Sequence, residues 1–290
     1  MASDVQFWVV QTLNGVQLSV LLFLLSVGLT VIFGLMHFVN LAHGALYALG
    51  AYAGVTASAF FGSYWAGLAL APVAVMLAGV VLYLGLIRRM RAAGPMNQVL
   101  VTFGLIFVFV DMFRILWGNF ALGMPLPTIL DGRTEFFGIV YPTYRLFVIA
   151  VGILVMGTLA LILSRTQIGA MVRAGVDNEQ MAACLGIDVE RLFFLVFCVG
   201  CVLAGLAGVV AAPIFSVTPD MGTQILIPTL IVVVIGGLGS LKGAIAGSFL
   251  VGFIQTFGAV LAPQLAAVAI YALLAAVLVF RPAGLFPARA

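Results

Sequence analysis

GLTVIFGLMHFVNLAHGALYALGAYAG, residues 28–54, is apolar almost throughout, yet it carries the only two histidines of the chain, His37 and His43, together with Asn40. Glycine and alanine surround these polar groups. A segment this apolar belongs in a bilayer, and the few polar side chains it keeps are the ones to account for. Composition extends the same reading to the whole chain. Of 290 residues, 64% are hydrophobic and 7% charged, with a mean hydropathy of +1.30. A soluble core of this length cannot hide so much apolar surface.

Apolar runs fall at about residues 12–35, 37–61, 64–87, 97–118, 144–163, 192–216, 224–241, 243–262 and 265–280. Their lengths, near 20 residues, fit helical spans, whereas an outer-membrane barrel shows period-two alternation in segments of about 10. The fold class is therefore all-α, a polytopic transmembrane bundle of about eight to ten spans in a single domain, 1–290. The second, seventh and eighth runs contain glycine and polar residues, so one or two of them are expected to be broken or re-entrant. The N-terminus, MASDVQFWVVQ, lacks the basic region of a cleavable signal, so no segment is expected to be removed.

Lys and Arg set the expected orientation. Arg88, Arg89 and Arg91 follow the third run, Arg165, Arg173 and Arg191 the fifth, Lys242 the seventh, and Arg281 and Arg289 close the chain, nine of twelve basic residues. With nine spans and the N-terminus outside, all nine face the cytoplasm. The connection 119–143, with Arg133 and Glu135, then faces outward. Scattered basic residues and a net charge of +3 leave no nucleic-acid footprint. Cys198 and Cys201 lie inside an apolar run, where small packing residues are expected rather than a redox pair.

Three polar islands stand out. Read as helix, His37, Asn40 and His43 share one face at i, i+3 and i+6, with Gly44, Ala48 and Gly50 beside them. That face suits either a tight helix interface or the lining of a polar path. The second island, residues 164–192, reads as one or two short helices split by Gly186, with Met181, Ala182, Leu185 and Ile187 forming an apolar knob for a soluble partner. Its length exceeds what turning the chain requires. The third, GGLGSLKGAIAG at 236–247, is not a phosphate loop, because Lys242 sits between Leu241 and Gly243. It reads as a turn with a small-residue packing face, and no nucleotide site is found elsewhere. Asp111 is the one convincing carboxylate inside a span, with Arg114 three residues on and Trp117 at the interface. A secondary carrier or channel, or a membrane enzyme, needs more ionisable groups at membrane depth than this.

Taken together these motifs resemble one family, the permease subunits of bacterial ABC importers for branched-chain amino acids of the LivH type. Residues 28–54 are similar to its N-terminal signature, with Asn40, His43, Gly44, Gly50 and Tyr52 in place. Gly169, Arg173, Ala174, Asn178, Ala182, Leu185, Gly186 and Ile187 resemble its cytoplasmic coupling segment, although the Glu-Ala-Ala core stands as Glu179, Gln180, Met181, Ala182, Ala183. LAGLAGVVAAP at 203–213 and FRPAGLFP at 280–287 match as well. The resemblance implies a transport subunit without cofactor, metal or catalytic residues in the inner membrane. It implies a homologous second permease, two cytoplasmic ATPases docked under residues 164–191, and an extracytoplasmic solute-binding protein. On this reading His37, Asn40, His43, Gly44, Tyr47 and Gly50 form the translocation path or a helix interface. Gly169, Arg173, Ala174, Asn178, Ala182, Ala183, Leu185, Gly186 and Ile187 couple to the ATPase, and Arg133, Glu135 and Asp220 face the binding protein. Branched-chain amino acids are the expected cargo, with amides and urea left open.

Overall fold

The computed structural model describes residues 2–36, 38–136 and 139–286. The helices are α1 (Ala2–Met36), α2 (His43–Phe61), α3 (Tyr64–Met90), α4 (Pro95–Trp117), α5 (Thr143–Arg165), α6 (Gln167–Asp177), α7 (Glu179–Cys184), α8 (Val189–Ala211), α9 (Met221–Gly236), α10 (Leu241–Leu261) and α11 (Ala266–Phe280). One antiparallel hairpin, β1 (Arg133–Phe136) with β2 (Ile139–Pro142), precedes α5, with Arg133 opposite Pro142. Each of the nine apolar runs is a helix. Seven are long and apolar enough to cross a membrane, and α9 and α11 are shorter.

Helices α1, α2 and α8 form the buried centre, while α3, α4, α5, α10 and α11 present much of their apolar surface outward. Without a hydrophobic drive between helices in lipid, small residues set how closely they pack. Gly28 of α1 lies against the Gly200 backbone of α8, and Gly50 of α2 meets Gly205 of α8, positions where a side chain has no room. The GAIAG face behaves as expected: Gly243 and Gly247 pack on the backbone of α9 at Gly236 and Val232. Cys201 is buried and carries no disulfide. One π-helical turn, Tyr83–Ile87, interrupts α3 before its basic end.

Helix α2 starts late, and α9 is one of the two short apolar helices. The second run was expected to be helical from residue 37, but α2 begins at His43, and residues 38–42 are non-helical. His43 Nε2 lies 3.2 Å from the Leu25 carbonyl oxygen. Leu25 is eleven residues before the end of α1, about 16 Å of helical rise. The chain therefore turns back into the bundle after α1, and α2 starts well inside it.

Helix α9 has 16 residues, about 24 Å against a hydrocarbon core of about 30 Å. The segment before it is pinned where Leu122 and Val217 exchange two backbone hydrogen bonds of 2.9 Å. The first turns of α2 and α9 meet, since Gly44 and Gly222 each abut the other's carbonyl. The far end of α9 is closed by the C-terminal tail, where the Leu285 and Phe286 amides donate to the Ile235 and Gly236 carbonyls at 2.8 and 3.0 Å. These carbonyls would otherwise be orphaned at a helix end.

Candidate translocation and coupling sites

The break before α2 gathers buried polar groups at membrane depth. Asn40 and His43 are almost fully buried. Because the Leu25 carbonyl can only accept, His43 Nε2 carries the proton and donates, which leaves Nδ1 as a lone-pair acceptor. Neither His43 Nδ1 nor Asn40 Oδ1 has a hydrogen-bond partner among the described residues. Two acceptors in one turn thus face no donor, an arrangement that costs about 1–3 kcal/mol for each group.

The helical face expected for His37, Asn40 and His43 is not what positions them. Asn40 precedes the helix, and its carbonyl accepts from the His43 amide at 3.3 Å. His37 lies outside the described residues. Gly44 and Gly50 hold α2 against α9 and α8, and Tyr47 is buried with its carbonyl against Gly208. Beside the break, Leu41, Ala45, Ile106, Val110 and Leu226 line a narrow apolar gap between α2, α4 and α9.

Above this break, toward the end that carries the hairpin, α2 and α4 are fastened by aromatic groups. The Tyr52 ring stacks on Phe113 at 4.8 Å, and Trp117 Nε1 donates to Thr56 Oγ1 at 2.8 Å. Asp111 and Arg114 pair at 3.4 Å, as their spacing implied, and Arg114 also reaches Asp220 at 3.3 Å. Asp220 sits at the start of α9, 106 residues away, so this network joins α4 to α9. All three side chains are exposed. Arg133 and Glu135 lie exposed on β1 at the same end. Nearby, Tyr141 Oη and Arg145 both donate to Asn14 Oδ1, at 3.1 and 2.7 Å. Burial pushes the Tyr141 phenol above its ordinary pKa, and Arg145 opposes that shift.

At the opposite end, residues 164–192 fold as two short helices. The division falls at Asn178, not Gly186: the Asn178 side chain caps α7 by accepting from the Met181 amide at 2.9 Å. Gly186 ends α7 instead. Its amide donates to Ala183 O and the next amide, Ile187, to Ala182 O, with Gly186 at φ +85°. That pairing is a Schellman motif, which favours glycine at the left-handed position.

The apolar knob is smaller than its sequence implied. Met181 and Leu185 are 59% and 75% exposed, whereas Ala182 is buried and Ile187 packs on the core. Ala183 and Arg173 are exposed, and Ala174 is half-buried. Thr166 caps α6 through the Gly169 amide at 3.1 Å, and Gly169, Val172 and Gly175 form its buried face. Gly175 faces Leu35 near the end of α1.

Ion pairs that the sequence did not disclose hold this end together. Arg91 reaches Glu179 at 3.0 Å and stacks over the Phe193 ring at 3.9 Å. Arg88 pairs with Glu190. Glu179, the first residue of the coupling core in the sequence reading, is thus bound to Arg91, the residue that follows α3. The only advance signal was the clustering of opposite charges in two loops.

Known proteins place this geometry in context. A family profile described as branched-chain amino acid transport system, permease component, matches residues 11–280. The chain is 27% identical to the high-affinity branched-chain amino acid permease protein BraD of Pseudomonas aeruginosa, over 97% of this chain and 96% of that protein. It is 26% identical to LivH of Escherichia coli K12, over 98% and 97%. LivM of the same strain is similar at 27%, over 82% of this chain and 61% of its own length. No solved structure matches significantly.

Proposed function

The chain belongs to the branched-chain amino acid transport permease family, and from that premise we propose that it is the membrane subunit of an ATP-driven importer of branched-chain amino acids or related zwitterions. One observation carries the reading beyond family membership: the bundle is interrupted at membrane depth where Asn40 Oδ1 and His43 Nδ1 stand unpaired. Interrupted helices at mid-bilayer are where solute sites form, because irregular backbone is tolerated only inside protein or along a cavity. Two acceptors suit the ammonium of an amino acid or an amide N–H. In the closed arrangement described here they are covered; a rearrangement of α2 against α9 at the Gly44–Gly222 contact exposes them to the path.

The partners follow from the same reading. LivH and LivM are both similar to this chain, which supports pairing with a homologous second permease. A solute-binding protein delivers cargo to the end bearing Arg133, Glu135 and Asp220. Two ATPases dock at the other end, where Met181 and Leu185 project. Gly169, Ala174, Asn178, Ala182, Ala183, Gly186 and Ile187 shape that knob, and Arg173 lies on the same segment. ATPase closure pushes α7 and α6, and Gly175 passes the displacement to Leu35 and the break that follows α1. Basic residues concentrated at the knob end support a cytoplasmic C-terminus and an outside N-terminus in the inner membrane. The domain is a single permease unit over 1–290.

Reconstitution tests the proposal. Proteoliposomes holding this chain, its companion permease, both ATPases and the binding protein are expected to take up labelled leucine only with ATP supplied on the ATPase side. Uptake by this chain alone under an ion gradient contradicts the importer reading.

A further inference from the structure

We propose that the crevice between α1, α5, α6 and α8 is a binding site for an anionic phospholipid, with the phosphodiester on Arg173 and Lys242 and an acyl chain in the crevice. Two adjoining cavities carry the proposal. The first is a narrow crevice of about 100 Å³, lined wholly by aliphatic side chains and glycine, among them Val27 and Gly28 of α1, Leu159 of α5, Ile168 of α6, and Val199 and Gly200 of α8. The second is a cavity of about 640 Å³ at the knob end, whose polar lining comes from Arg173, Asp177, Ser240 and Lys242. Val31, Leu163 and Val172 line both, so the apolar crevice runs directly into the charged cavity.

The charges at the mouth select the ligand. Arg173 and Lys242 are both exposed, and no ion pair among the described residues engages either of them or Asp177. The Ser240 oxygen accepts from the Gly243 amide at 3.1 Å, which leaves its O–H able to donate. Two cations and one carboxylate leave a net single positive charge, which one phosphodiester balances. Arginine and lysine at the membrane boundary are suited to phosphate oxygens.

A free acidic side chain or phosphate satisfies the mouth but leaves the apolar crevice without an occupant. A lipid satisfies both. The crevice runs up to Gly28 and Gly200, whose close contact shuts its inner end. Val172 and Arg173 both belong to α6, so a lipid seated here holds α6 against α1 and α5. That last consequence rests on the coupling role proposed above for α6; the binding itself does not.

Native mass spectrometry of the purified chain, loaded separately with phosphatidylglycerol, phosphatidylcholine and inorganic phosphate, tests this. One phosphatidylglycerol should survive detergent washing, and phosphatidylcholine should not. Arg173→Gln with Lys242→Gln should lower phosphatidylglycerol occupancy about tenfold, and Val199→Trp, which fills the crevice, should lower it comparably. Should either variant fold poorly, Asp177→Asn decides instead, with occupancy expected to rise two- to fivefold as the opposing charge is removed. Equal retention of phosphatidylcholine, competition by phosphate alone, or unchanged occupancy in these variants overturns the lipid site. Leucine uptake by the complete wild-type complex, measured in parallel, reports on the importer reading independently.

Discussion

Helices α2 and α9 meet at Gly44 and Gly222, yet the start of the one and the far end of the other are built in opposite ways. At the end of α9 the backbone is sealed: the tail supplies amides to Ile235 and Gly236, and Ser240 caps α10 through the Gly243 amide. At the start of α2 the His43 and Leu46 amides are paired, but two buried side-chain groups are not. No side chain caps the helix, and Asn40 Oδ1 and His43 Nδ1 are buried without partners. The difference teaches that one helix end is closed by backbone hydrogen bonds, whereas the other keeps two buried side-chain acceptors without partners among the described residues.

Substitutions can break that comparison at its hinge. Gly44→Val should have the largest effect, because a side chain there meets the Gly222 carbonyl. Overpacking of this kind costs about 1–3 kcal/mol, and a lowered melting temperature with reduced membrane yield is the expected outcome. Deleting residues 285–290 removes two hydrogen bonds from the end of α9, a loss of about 1–3 kcal/mol for each carbonyl that stays buried. On the proposed function, transport per folded molecule should be retained after that deletion, since that reading gives the sealed end of α9 no part in the path. A specific loss of uptake at normal stability would show that both helix ends are functional.

A smaller stability change is expected at the knob. Gly186→Arg places a side chain at φ +85° and should cost about 1 kcal/mol, while ATP hydrolysis becomes uncoupled from uptake. Leu185→Glu changes an exposed side chain and should leave the stability within about 0.5 kcal/mol of the original. ATPase binding measured by pull-down should nevertheless weaken about tenfold. Normal binding by Leu185→Glu argues that the exposed pair Met181 and Leu185 is not the contact. Ala182→Glu is the poorer probe, because Ala182 is buried and the substitution disturbs packing before it disturbs docking.

Much of this architecture was legible in the chain. A span must carry about 20 apolar residues, so each of the nine runs announced itself, and GAIAG declared a close helix contact that Gly243 and Gly247 make. The start of α2 was not legible. The polar residues marked this run as one that could break, but where the helix starts depends on the contact of His43 with Leu25, which lies 18 residues away in sequence. Long-range ion pairs were hidden for the same reason: Arg114 with Asp220 and Arg91 with Glu179 are separated by 106 and 88 residues. Gly186 was recognised as a punctuation mark, but whether it divides two helices or ends one depends on whether Asn178 caps a second. The tail FRPAGLF was visible as a motif, and its task, closing α9, appears only once Leu285 and Phe286 are seen beside Ile235 and Gly236.

The break before α2 is tested most directly by Asn40→Leu, with leucine uptake and thermal unfolding measured on the same reconstituted complex. Replacing an unpaired buried acceptor by an apolar group should leave stability unchanged or raise it by about 1 kcal/mol, while uptake falls about tenfold. A drop in stability with uptake per folded molecule intact contradicts the account, and would make Asn40 a structural tie between helices.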